Sequence, residues 1–164
     1  MKIKSAIGWI IRNPMDIISA AALTISILLT TFNALTRYCF RYTWNPSLDI
    51  IQLCFAYTVF CGSASAYKRK MHYGIDIVIS KLSPKMQQIV GLFTHMILLF
   101  SLGYATYLSV DLMLHVGGKV LTSTKISYAW FDLSAVLGFA YMTFYELQWG
   151  MEDLKKFLKA KEDT

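Results

Sequence analysis

The stretch Arg37–Asp76, RYCFRYTWNPSLDIIQLCFAYTVFCGSASAYKRKMHYGID, decides the fold. It opens with Arg37, Tyr38, Arg41, Tyr42 and Trp44, whose guanidinium groups and amphipathic rings suit the headgroup layer of a bilayer. Between Leu48 and Tyr67 only Asp49 is formally charged. A helix over 48–67 is about 30 Å long, the thickness of the hydrocarbon core, so the segment predicts a membrane span. The run closes on Gly62-Ser63-Ala64-Ser65-Ala66, small residues that let a second helix approach closely, and then on Lys68-Arg69-Lys70, a cluster that stops translocation. His72 and Asp76 follow.

Outward from this stretch the chain repeats the pattern. In 164 residues, 55% are hydrophobic and the mean hydropathy is +0.45, too apolar for an ordinary soluble domain. Apolar runs over about 15–35, 48–67, 86–114 and 126–149 predict an all-α integral membrane fold, one domain of four transmembrane helices covering 1–164. Before the first run, Ile3, Ala6, Ile7, Ile10 and Ile11 share one helical face while Lys2, Lys4, Ser5 and Arg12 share the other. That pattern predicts a short amphipathic helix lying on the membrane surface, with Trp9 at its border. A cleaved signal peptide is not expected, because the apolar run that follows is too long.

Asn13-Pro14 is read as the cap and first turn of span one, and Ser83-Pro84 as the start of span three. In span one Ser19, Ala22 and Ser26 form a packing face, with Leu23, Ile27 and Leu28 toward lipid. Asp16 complements the helix dipole at its start. Span three is longer than a bilayer requires and should tilt or protrude. In span four, Ser134 and Gly138 form a small-residue pair for helix contact, and the tail after Met151 reads as a solvated helix.

Charges set the topology. Twelve lysines and arginines fall in the two terminal segments and the connection holding Lys68 and Lys85, whereas Arg37, Arg41, Lys119 and Lys125 are the four on the other side. Both termini are therefore expected in the cytoplasm. The net charge of +6 is explained by this distribution and does not point to nucleic acid. Cys39, Cys54 and Cys61 have no metal-ligand spacing, and Cys54 and Cys61 share a helix face as packing residues. His95, deep in the third run, suits an interhelical hydrogen bond better than a ligand role. Asp132, an acid inside the fourth run, is either part of an ion path or a structural pair with Lys119, Lys125, Arg37 or Arg41, and the nearby cations favour the pair.

The order Arg37-Tyr38, Trp44, Asp49 opening an apolar run, Gly62 near its end, Lys68, then His72 and Asp76 resembles the small membrane subunit of tripartite ATP-independent periplasmic (TRAP) transporters. One departure is Asn45-Pro46-Ser47-Leu48, where that family often carries a glutamate pair; here Asp49 stands alone. The resemblance implies a multi-pass protein of the bacterial inner membrane. It implies a large multi-span transport subunit, a periplasmic binding protein and membrane lipids as partners. It further implies symport driven by a sodium gradient, carrying organic acids such as dicarboxylates or sialic acid, with this subunit as the scaffold. Arg37, Arg41, Trp44, Asp49, Gly62, Lys68, His72, Asp76 and Asp132 are its candidate interface and structural residues.

The residues themselves exclude less than they suggest. No catalytic triad, paired catalytic carboxylates, phosphate-binding glycine loop or metal cluster is visible, so neither an enzyme nor a cofactor is expected. No inverted repeat or broken helix marks a transporter sufficient by itself. A membrane anchor of a haem- or quinone-linked redox complex is the alternative, which His95 permits but which lacks a second histidine at the same depth. A small multidrug exporter would need an acid within the first span, where only Asp16 stands at the edge.

Overall fold

A computed structural model describes residues 13–69, 84–116 and 118–162. The expected surface helix over Lys2–Arg12, together with His72 and Asp76, lies outside the described residues. Among them are four helices, α1 Pro14–Phe40, α2 Pro46–Lys68, α3 Pro84–Val116 and α4 Ala129–Glu162. Helices α1, α2 and the Ile89–Val116 part of α3 are long and apolar enough to cross a membrane.

Prolines start the first three helices, where a missing N–H costs nothing because first-turn donors have no intrahelical partner. Asn13 does not cap α1 as expected: its side chain makes no capping bond, and its Oδ1 accepts from Lys68 Nζ at 3.0 Å. α1 runs further than 35, so Arg37 and Tyr38 belong to its last turn. It ends at Arg41, whose φ of 52° places it in the left-handed region and whose N–H returns to Arg37 O at 3.1 Å. The connection to α2 is stitched from below, Trp44 N–H donating to Asn33 Oδ1 at 3.2 Å and the buried Ser47 hydroxyl to Trp44 O at 2.6 Å.

Between α3 and α4 the polar turn is a small hairpin. Val120 and Ser127 pair as an isolated bridge, Leu121 N–H reaches Ile126 O at 2.8 Å, and Lys125 takes a φ of 58° to close the loop. Because residues up to Ser127 are committed to this pairing, α4 begins at Ala129, three residues later than the apolar run alone indicates. It then passes position 149 without a break and takes in most of the tail.

The helices pack in the order α1, α2, α4, α3, so α2 and α4 are the inner pair and α1 and α3 the flanks. Contact between the inner helices depends on small residues. On α4, Ser134, Gly138, Met142 and Glu146 recur every four residues and are all buried. A Cβ on Gly138 would stand 2.9 Å from both Phe60 Cβ and Phe60 O, so only hydrogen fits there. Phe60 and Phe139 close the same contact edge to face, with centroids 5.5 Å apart. On the other side of α2, Ser19 of α1 donates to Thr58 O at 3.2 Å beside Gly62. Ala22 and Cys61 are buried, and Leu23, Ile27 and Leu28 are exposed, as their spacing indicated. The flanks bear large bare side chains, among them Phe32, Leu35, Phe93, Phe100 and Leu114. Such surfaces suit hydrocarbon or another membrane protein rather than water.

Candidate functional site

The polar residues of the helices gather at two opposite ends. At the end holding the starts of α1 and α3 and the C-terminal part of α4, Glu146 is 2% exposed despite its charge. Tyr67 Oη of α2 donates to its Oε2 at 2.6 Å, and His95 Nδ1 of α3 lies 2.7 Å from its Oε1. The other ring nitrogen of His95 is 3.2 Å from Asp153 Oδ2, two helical turns beyond Glu146 on α4. One buried carboxylate thus joins three helices. The imidazole thus bridges two carboxylates of α4 through its two ring nitrogens. Tyr67 also stacks on Trp149, with centroids 5.6 Å apart.

The fourth helix joins through the C-terminal end of α2. Asp16 of α1 accepts from Ser65 Oγ and from Arg69 Nη2, the latter at 2.6 Å. Lys68 lies 5.6 Å over the Tyr145 ring while it holds Asn13. Lys68, expected as a stop-transfer charge, is therefore also an interhelical tie. Spacing suggested His95 as an interhelical bonding residue, and it is one. Its partners were not visible in the sequence, where the only signal was that Glu146 and Asp153 stand seven apart on one helical face.

At the opposite end, Asp49 in the first turn of α2 holds the hairpin before α4. Its Oδ2 accepts from Ser123 N–H at 3.0 Å, Thr124 N–H at 2.9 Å and Thr124 Oγ1 at 3.1 Å. Asp49 is thus committed within the chain, whereas Arg37 and Arg41 are exposed at the same rim with Trp44 beside them. The expected pairing of Asp132 with a loop cation is not found. Its Oδ2 is buried without a hydrogen-bond partner in the first turn of α4, while Lys119 and Lys125 are exposed.

Among the described residues no group of three or more His, Cys, Asp and Glu is arranged to hold a metal ion. What the two ends do is fasten: at one, a cluster on Glu146 and another on Asp16 between them reach all four helices, and at the other one aspartate pins a connecting loop. The arrangement defines a helical membrane protein whose spans are fastened to one another by polar groups. Residues 26–155 match the family described as "Tripartite ATP-independent periplasmic transporters, DctQ component", and the chain belongs to that family as a TRAP small permease subunit. It is 28% identical over 123 residues to a candidate TRAP transporter small permease protein of Haemophilus influenzae, covering 75% of this chain and 74% of that one. A second such protein from the same organism is 23% identical over 94 residues, covering 57% of this chain and 58% of its own length.

Proposed function

We propose that this small permease subunit is the fixed scaffold of a three-part importer, binding a large multi-span transport subunit that a periplasmic binding protein supplies with organic acids such as dicarboxylates or sialic acid. The observation that carries the proposal is the contrast between interior and flanks. Glu146 binds Tyr67 and His95 across α2, α3 and α4, and Asp16 of α1 binds Ser65 and Arg69 at the end of α2, so the two clusters between them reach all four helices. The flanks α1 and α3 meanwhile present apolar side chains outward. Rigidity within and apolar surface without are properties of a frame for another membrane protein.

In this reading α4 crosses the membrane as a fourth span. It lies between α2 and α3, and Asp132 and Glu146 are its only charged residues between Ala129 and Gly150. Twelve of sixteen lysines and arginines then face the cytoplasm with both termini, which supports a bacterial inner-membrane protein with the Arg37–Trp44 rim turned to the periplasm. That rim is where the binding protein docks, through Arg37, Arg41 and Trp44. Coupling to sodium is assigned to the large subunit.

Coexpression of the tagged chain with the large subunit tests the proposal. The two should purify together in detergent, and charge reversal at both Arg37 and Arg41 should spare this pair while weakening uptake supplied by the binding protein. Purification of the tagged chain alone, with no large subunit retained, defeats the proposal.

A further inference from the structure

A second surface gathers polar groups where a bilayer cannot satisfy them. Between α1 and α2 a groove of about 370 Å³ opens sideways, lined by Ser26, Ile27, Thr31, Ile51, Gln52 and Phe55 with Thr30 at its edge. Ser26 stands about 18 Å along α1 and Gln52 about 9 Å along α2, so the groove runs from mid-membrane toward the rim that carries Trp44. Elsewhere in the helices, hydroxyls close on their own backbone: Thr24, Thr58 and Thr106 each donate to the carbonyl four residues back. In the groove Thr30 does the same, but three of its polar neighbours do not. Ser26 Oγ is buried with no partner, and the side chains of Thr31 and Gln52, both exposed, form no hydrogen bond among the described residues.

An amide and two hydroxyls left open at this depth are costly against acyl chains, and interhelical hydrogen bonding is the usual remedy. From this complementarity we infer that the α1–α2 groove receives a transmembrane helix of the large permease subunit, one presenting a hydrogen-bonding side chain to Gln52, Thr31 and Ser26. The inference rests on the proposed pairing of the two subunits. A lipid chain would fill the space but leave all three groups open. A second copy, which would offer its own Gln52 at the same height, is set aside on the proposed pairing of the two subunits.

The test uses the coexpressed complex, with photoreactive benzoylphenylalanine in place of Gln52. Ultraviolet irradiation should join this chain to the large subunit, identified by mass spectrometry. In parallel, the variant Ser26→Ala, Thr31→Val, Gln52→Leu should unfold at or above the wild-type temperature, since these groups bond to nothing inside the chain, while affinity for the large subunit falls about tenfold or more. Crosslinks only to lipid or to a second copy, or unchanged affinity in the triple variant, overturn the inference while the subunit pairing stands. If wild-type chain retains no large subunit, the proposed function fails first and the inference falls with it.

Discussion

Glu146 shows how one residue can hold several helices. Its carboxylate is 2% exposed and bound by Tyr67 and His95, so removing either partner leaves a charge with fewer donors in a dry setting. His95→Ala should therefore cost about 2–3 kcal/mol and lower the unfolding temperature in detergent by about 5–10 °C. Glu146→Gln keeps both hydrogen bonds without the charge and should cost about 1 kcal/mol. The double variant should recover part of the His95→Ala loss, because no buried charge is then stranded; additive losses would contradict the shared network. Asp49 permits a different check. With three hydrogen bonds from Ser123 and Thr124 removed, Asp49→Ala should open the hairpin, read as faster tryptic cleavage after Lys119 or Lys125 with the helices intact. An unchanged cleavage rate would show that the loop holds without it. Of these residues the sequence exposed only half the story. A histidine and an acid inside apolar runs announce that partners exist, but His95 and Glu146 are 51 positions apart, and no local pattern pairs them.

At the scale of the helices, what was legible is what recurs with helical period. Small residues on α1 and α4 marked the packed faces, and Leu23, Ile27 and Leu28 marked the bare one, because close helix contact and lipid contact demand opposite side-chain sizes. The ends were harder. Asn13 has the right type for a cap, yet Lys68 claims its side chain. The start of α4 was displaced by the Val120–Ser127 pairing, a contact of the backbone that composition does not encode. Packing of the inner pair gives a sharp prediction. Gly138→Ala places a methyl 2.9 Å from the Phe60 backbone, which cannot yield without moving α2, and should cost about 1–3 kcal/mol. Gly62→Ala meets only Ser19 Oγ at 3.0 Å, a hydroxyl that can rotate at the loss of its bond to Thr58 O, and should cost less than half as much. Thermal unfolding of the two purified variants compares them directly, and a milder effect at Gly138 would mean that α2 and α4 are not in the contact described.

For the whole molecule, the row α1–α2–α4–α3 leaves two long apolar flanks and a polar network at one end. The membrane class was legible from composition, and the family from the ordered motif between Arg37 and Asp76. The neighbour order was not, because four antiparallel helices with the same lengths can be arranged in several ways that leave every local pattern unchanged. Orientation rests on the charge imbalance. Single cysteines placed near residues 6 and 160 of a cysteine-free variant should resist a membrane-impermeant maleimide in intact cells, and one at Arg41 should react; the reverse pattern would invert the topology. The central claim is that this chain is the indispensable frame of an importer, and uptake by a reconstituted system tests it most directly. Proteoliposomes containing the large subunit with this chain should accumulate an organic acid delivered by the binding protein when a sodium gradient is applied. Those containing the large subunit alone should fall to background, and equal accumulation without this chain would contradict the account.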